Sequence, residues 1–337
     1  MGFSQLPPFI QTLLHPEAYP HPVSDIRLVQ THISYVLLAG DFVYKIKKPV
    51  NFGFLDFTTL EKRKHFCGEE LRLNRRLCPG LYLEVLAITD EGGRVALNGQ
   101  GPAIEYCVKM ARMPEDRMMS AIIKNRQLTP AMLDGIVDIL VPFYRLAEGG
   151  AAIKGFGSAQ GVGVNVLENF DQTASFVGCS ALSQGQFEQI TSYAKGFLVR
   201  DELFQQRIDE GKIRDCHGDL YSANICLAEQ TYIYDCIEFN QRFRYCDVAS
   251  DVAFLAMDLD YHGLPELSDH FIGTFIAKAD DPGLGAMLNF YKCYRAYVRG
   301  KIGLFTAHAP EVDAETKAVC LAQAQQYFTL AARYAAS

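Results

Sequence analysis

The chain has no uncharged apolar run of the roughly 18 residues needed to cross a bilayer as a helix, so no membrane-spanning segment is expected. It also lacks a basic excess. With 32 Lys and Arg against 39 Asp and Glu the net charge is −7, and the acids are scattered, so no long electropositive face for nucleic acid is implied. No two cysteines stand at the C-x-x-C spacing of zinc ribbons and redox motifs. The ten thiols run from Cys67 to Cys320 and read as free cysteines of a reducing compartment. Cys226, Cys236 and Cys246 recur at an even interval, which strand-loop-strand packing explains without a metal. There is no G-x-S-x-G around a serine nucleophile and no G-x4-G-K-[ST] phosphate loop. Near Met1 no basic start precedes an apolar stretch, and the expectation is a cytoplasmic protein with no nucleic-acid or membrane partner.

What is present divides into two parts. Ile26–Lys48 holds three short β-prone runs separated by polar turns, the rhythm of an antiparallel meander. In the third run Val43, Lys45 and Lys47 share one face by the period of two, opposite Phe42, Tyr44 and Ile46. The lysine face is therefore expected to look outward or into a cleft. Thr58-Thr59-Leu60-Glu61 reads as a capping box in which Thr58 starts a helix that ends near Pro79-Gly80. Tyr82–Ile88 and Ala103–Met110 are further strand candidates. After Pro114 helices dominate. Thr129-Pro130 starts one that runs to Leu146, Ser183 with Gln186 starts one expected to reach about Gly211, and others cover Leu264–Lys278, Gly285–Phe305 and Ala314–Ala335. Between them lies a dense polar stretch, Ile213–Asp251.

That stretch carries Cys216-His217-Gly218-Asp219-Leu220-Tyr221-Ser222-Ala223-Asn224, followed by Asp235 in Tyr232-Ile233-Tyr234-Asp235-Cys236-Ile237-Glu238. An aspartate, an asparagine five residues on, and a second aspartate at the end of the next strand suit phosphoryl transfer. One carboxylate can orient an attacking hydroxyl and accept its proton, while the other carboxylate and the amide oxygen can hold magnesium, a hard cation that prefers oxygen. Turn hydrogen bonding alone would also explain Asp219 and Asn224, and Lys45 taken singly reads as a surface lysine. Their joint occurrence favours chemistry.

The H-G-D-x4-N pattern resembles the catalytic loop of the aminoglycoside phosphotransferase and choline kinase superfamily, where it replaces the H-R-D-x4-N of protein kinases. The run CHGDLYSANI and then YDCIEFNQRFRYCDVASDVAFLAMDL is similar to a narrower aminoglycoside-phosphotransferase-like group, some members of which are fused to a P-loop ATP-binding domain. The resemblance implies an α+β, two-lobed protein-kinase-like fold. Residues 1–112 would form a small antiparallel-sheet nucleotide-binding lobe, and residues 113–337 a larger, mainly helical catalytic and acceptor-binding lobe. It implies ATP and Mg2+ as cofactors and a small-molecule hydroxyl as acceptor. A protein or other macromolecular acceptor and a non-catalytic, nucleotide-binding pseudokinase are the rivals. It further implies Asp219 as catalytic base, Asn224 and Asp235 as magnesium ligands, and Lys45 as the phosphate-contacting strand lysine. Glu70 would pair with Lys45, with Glu69 as the alternative partner and Lys47 or Lys48 as alternative lysines. Asp251 and His217 would brace the loop.

The sequence departs from the kinase pattern in two places. Tyr221 stands where protein kinases carry lysine, and no G-x-G-x-x-G precedes Lys45; the turn Gln30–Ser34 occupies its place, and Ser34 and its neighbouring amides are expected to cover the phosphates. Met110 is assigned to the nucleotide site. Gly155–Gly163 reads as a mobile loop near the acceptor. Glu238 is expected to pair with Arg242 or Arg244, with metal or substrate contact as the alternative. Lys292, Arg295 and Arg299 share one helix face, either as a basic stripe for an anionic substrate, as a solvated face, or as partners of Asp258 and Asp260.

Overall fold

A computed structural model describes residues 6–309 and 312–337. In chain order the first elements are α1 (Pro8–Thr12), β1 (Ile26–Gln30), β2 (Ser34–Ala39), β3 (Phe42–Lys47), α2 (Leu60–Asn74), β4 (Tyr82–Asp90), β5 (Val95–Leu97) and β6 (Ala103–Ala111). Helices α3 (Met119–Lys124), α4 (Pro130–Leu146), α5 (Ala151–Lys154), α6 (Ala159–Thr173), α7 (Gln184–Leu198) and α8 (Asp201–Asp209) follow. Then come β7 (Ile213–Asp215), β8 (Ile225–Leu227), β9 (Thr231–Ile233), α9 (Gln241–Arg244) and β10 (Tyr245–Asp247). The chain closes with α10 (Val248–Tyr261), α11 (Pro265–Ala279), α12 (Leu284–Ala307) and α13 (Ala314–Ala336).

Two compact units result, Met1–Met118 with Ile225–Gln241, and Met119–Asn224 with Arg242–Ser337. The first is built on an antiparallel sheet in the order β1-β2-β3-β6-β4-β5. Its register pairs Lys45 with Val36 on one side and Val108 on the other. One sheet face buries Tyr35, Leu37, Tyr44, Ile46, Leu86 and Ile88 beneath Ile10 and Leu13. The other buries Val108, Met110 and Tyr82 against Cys67 of α2 and Cys78. The lysine face of β3 therefore does not look outward: Lys47 is 1 % exposed. Alternation correctly placed the lysines on one face, but α2 covers that face, and sequence periodicity cannot see what packs on a sheet from outside it.

Helix α2 begins one residue later than the sequence suggests. Thr59, not Thr58, caps it by accepting from the amide of Lys62, while the Thr58 hydroxyl is spent on Asp56. The Ser183–Gln186 capping box forms as expected, but the helix it starts stops at Leu198. Arg200 leaves helical geometry, and Asp201 and Glu202 then favour a fresh N-terminus for α8.

Gly155–Gly163 is not a loop. Ser158 caps α6 by accepting from the Gly161 amide at 3.0 Å, and the buried Val162, Val166 and Phe170 recur at helical spacing. A Cβ on Gly161 would sit 2.4 Å from the Gly155 carbonyl oxygen, so this glycine serves close packing. In the second unit α10 is buried from Val248 to Leu259 and packs against α11 and α12, and α12 packs along α13. Among the described residues, no helix is long and apolar enough to cross a membrane.

Candidate active site

Strand β3 brings Lys45 and Lys47 to the covered face of the first unit, and each meets carboxylates there. Lys45 Nζ lies 2.8 Å from Glu70 Oε1 and 2.5 Å from Asp235 Oδ1. Lys47 Nζ donates to Glu70 Oε2 at 2.7 Å and to Glu238 Oε1. Glu70 on α2 thus gives one oxygen to each lysine, making a chain Asp235–Lys45–Glu70–Lys47–Glu238. Glu69 instead pairs with Arg72 at 2.7 Å. The expected partners of Glu238 are engaged elsewhere, Arg242 with Glu168 and Arg244 with Asp215. Glu238 therefore takes Lys47, which the sequence showed sharing a face with Lys45 but did not connect to it.

Charges set the protonation of this chain. Burial opposes ionisation of Glu70, but Lys45 and Lys47 outweigh it and hold the carboxyl down to about 2. At Glu238 the balance reverses: burial, aided by the Glu70 charge, outweighs Lys47 and pushes the carboxyl above its ordinary value. Burial works against the charge on Lys45 as well, and Asp235 and Glu70 overcome it, so this ammonium stays protonated well beyond the usual lysine range.

The end of α2 holds the segment that carries Asp235. Asn74 donates to the Glu70 carbonyl at 2.8 Å and accepts from the Cys236 amide at 2.9 Å; Tyr82 accepts from the Asp235 amide at 3.2 Å. Asp235 itself has φ +64°, a left-handed conformation uncommon outside glycine and best tolerated by Asp and Asn. Neither Asn74 nor Tyr82 was singled out from sequence; Asn74 stands four residues after Glu70, one helical turn, which is the available signal.

Ser34 and Met110 complete the first unit's assignments. Ser34 pairs with Lys47 in the sheet register and is 1 % exposed; its amide donates to Thr31 Oγ1, and its Oγ has no hydrogen-bond partner among the described residues. Met110 is buried in β6 opposite Val43 and Tyr82.

The second unit holds the H-G-D loop. Asp251 of α10 accepts from the amides of His217 at 2.6 Å and Gly218 at 2.9 Å, and from the Tyr144 hydroxyl at 3.2 Å. Gly218 has φ +87°, which a side chain would strain. His217, fully buried, accepts at Nδ1 from the Asp219 amide at 3.2 Å, a bond that fixes the ring's tautomer with Nδ1 unprotonated. Asn224 Nδ2 donates to the Asp219 carbonyl at 3.0 Å and to its Oδ2 at 2.9 Å. The basic stripe of α12 resolves into three different environments. Lys292 pairs with Asp260 at 2.9 Å. Arg295, 5 % exposed, donates to the carbonyls of Gly218 at 2.9 Å and Ser250 at 3.2 Å and lies 3.6 Å from Asp251, so its contacts are with the H-G-D loop and α10. Arg299 lies over the Tyr221 ring at 4.7 Å.

All ten cysteines are free thiols, and among the described residues no cluster of three His, Cys, Asp or Glu is arranged to hold a metal. Each unit nevertheless carries an oxygen donor of the kind a hard cation prefers. Asn224 has committed its amide nitrogen to Asp219, leaving the oxygen as its ligating end, and Asp235 has given Oδ1 to Lys45 while its side chain stays 41 % exposed.

No protein-family model matches the chain. It is 32 % identical over 302 residues to the uncharacterized proteins Rv2004c of Mycobacterium tuberculosis and Mb2027c of Mycobacterium bovis, an alignment covering 88 % of this chain and 59 % of each relative. The chain thus spans little more than half the length of those curated relatives. Among solved structures, a choline/ethanolamine kinase family protein from Mesorhizobium loti aligns at TM-score 0.53 and 13 % identity, covering 97 % of both chains. The amicoumacin kinase hAmiN, solved with AMP-PNP, Ca2+ and Ami, aligns at TM-score 0.54 and 11 % identity over 94 % of this chain and 89 % of that one. The fold is protein-kinase-like. At the level of fold the resemblance to the choline kinase and aminoglycoside phosphotransferase superfamily holds, with an antiparallel sheet in the first unit and a mainly helical remainder.

Proposed function

We propose that the chain is an ATP- and Mg2+-dependent phosphotransferase that moves the γ-phosphoryl group to a hydroxyl of a small molecule. The observation that carries this reading is the Asp235–Lys45–Glu70 arrangement: a strand lysine held charged between a buried helix glutamate and a half-buried, left-handed aspartate. A lysine so placed is a fixed positive charge for polyphosphate oxygens, and Glu70 aims it. When bound, magnesium would supply charge neutralisation at the phosphates, and Asp235 with the amide oxygen of Asn224 would hold it.

In this reading Asp219 orients the acceptor hydroxyl and takes its proton. Asn224 and His217 fix that carboxylate and its backbone, and Asp251 with Arg295 fixes the loop. The protein contributes position and charge without a covalent enzyme intermediate. The named chemistry of the kinase neighbours supports the class of reaction and does not choose the acceptor.

The test is ATP consumption across a broad metabolite panel and added proteins, with Asp219→Ala as control. Turnover with a small hydroxyl compound, lost in the variant, is expected. Phosphate appearing only on added protein would move the acceptor class. Stabilisation by MgATP with no consumption against any compound would contradict the enzyme reading and leave a nucleotide-binding protein.

A further inference from the structure

Three cations of α12 lie within two helical turns, and only one has no acidic partner. Lys292 is taken by Asp260, and Arg295 by Asp251 together with the Gly218 and Ser250 carbonyls. Arg299, one turn beyond Arg295, has no carboxylate within 4.0 Å among the described residues. Its Nε is buried without a hydrogen-bond partner.

Its surroundings cover its faces instead. Arg295 lies over Phe254 at 4.9 Å, Tyr221 stacks on Phe254 at 5.4 Å and 11°, and Arg299 lies over Tyr221 at 4.7 Å and over Tyr327 at 5.7 Å. Tyr327 in turn stacks on Tyr261 at 3.9 Å and 7°. Aromatic faces stabilise the plane of a guanidinium and leave its N–H groups at the edge, where the Tyr327 hydroxyl meets them and Nε has no hydrogen-bond partner among the described residues. Those edge donors match a carboxylate or phosphate in shape and charge. Tyr221 is two residues beyond Asp219, and the Asp219 charge is among those that keep Arg299 protonated against its burial, after Tyr221 and Tyr327.

We propose that Arg299, framed by Tyr221 and Tyr327, is the specificity-determining residue for an acceptor that carries an anionic group, a carboxylate or a phosphate, alongside the hydroxyl presented to Asp219. This rests on the phosphotransferase reading and narrows it to hydroxy acids or phosphorylated polyols. The same feature argues against the cationic polyamines that an acidic pocket would select.

The test uses the full chain with matched hydroxyl compounds of three charges: glycerate and glycerol 3-phosphate, glycerol, and the amino alcohol serinol. ATP consumption is measured with each, and thermal stabilisation is measured in the presence of a non-hydrolysable ATP analogue. The expected result is that an anionic member is consumed or stabilises the nucleotide-loaded protein. Arg299→Met should then raise the KM, or weaken the binding, of that anion at least 10-fold. The KM for ATP and the unfolding temperature should stay as in the parent, and Arg299→Lys should recover part of the loss. Glycerate against glycerol 3-phosphate separates carboxylate from phosphate. Turnover confined to glycerol or serinol would overturn the anion site while leaving the phosphotransferase reading intact, as would an Arg299→Met effect confined to kcat or to ATP. Failure of both anions to bind or react also overturns it. Anion binding lost in Arg299→Met, with no ATP consumed by any compound, would sustain the site and remove the reading on which its role as acceptor site rests.

Discussion

Removing the ammonium of Lys47 should expose how the carboxylates at the covered face of the sheet are kept charged. In Lys47→Met the stem and its packing remain, but Glu238, 8 % exposed, loses the one ion-pair partner it has among the described residues, and Glu70 keeps Lys45. A buried carboxylate without its counter-charge takes up a proton. Protonating a carboxyl of ordinary pKa about 4.3 at pH 7 costs about 4 kcal/mol, from roughly 1.36 kcal/mol for each of about 2.7 pH units. That figure is a ceiling, because protonation is the escape route, and it agrees with the roughly 3–5 kcal/mol lost when one partner of a buried pair is removed. Glu238→Gln added to Lys47→Met should return half or more of the loss, since the neutral amide needs no counter-charge. The pH dependence has a definite sign. In the variant the folded pKa of Glu238 is raised further above its unfolded value, so stability is full below about pH 4 and declines as pH rises toward the folded pKa. The deficit against the parent should therefore shrink to about 1 kcal/mol near pH 5. Urea unfolding followed by circular dichroism at pH 5 and pH 7 measures each quantity. A deficit below about 1 kcal/mol at pH 7 that does not change with pH, or full additivity of the two substitutions, would refute this reasoning.

Two further outcomes follow from the same structure. Asp251→Ala strips an acceptor from the amides of His217 and Gly218 and from Tyr144, and leaves Arg295 buried without its nearby carboxylate; about 3–5 kcal/mol of stability should be lost, and a midpoint shift worth less than about 1 kcal/mol would contradict the bracing role. Asp235→Ala should abolish metal-dependent nucleotide binding, so that MgATP no longer raises the unfolding temperature while the parent loses the same effect on chelation; unchanged stabilisation in the variant speaks against Asp235 as a metal ligand.

The fold was legible where local signals and tertiary packing agree. The meander, Thr129-Pro130, the Ser183 box and the late amphipathic helices carry their own start chemistry, and the structure places those starts within a few residues, although the Ser183 helix ends at Leu198 and not near Gly211. Lys45 and Glu70 could be named as partners, and Asp235 as a site carboxylate, because the resemblance carried by the H-G-D-x4-N run aligned them; neither the lysine nor the glutamate belongs to a motif that is meaningful by itself. Lys47 was harder: alternation put it beside Lys45, but lysine on a strand reads as solvent-facing until one knows that α2 covers the face. The run Gly155–Gly163 misled for a related reason, since glycine marks both mobility and close packing, and only the approach of the Gly155 carbonyl to Gly161 shows which applies. Arg295 and Arg299 are indistinguishable in a stripe argument. Their different environments come from loops and helices distant in sequence, Gly218 and Ser250 for one and Tyr221 with Tyr327 for the other.

The most direct measurement of the central claim is a side-by-side determination of nucleotide affinity and acceptor-dependent ATP consumption in the parent and in Asp219→Ala. If Asp219 is the base, turnover should fall by at least the 10²–10⁴-fold typical of a lost general base while MgATP affinity stays within a few-fold of the parent. Turnover retained in the variant, at unchanged affinity, would contradict the account.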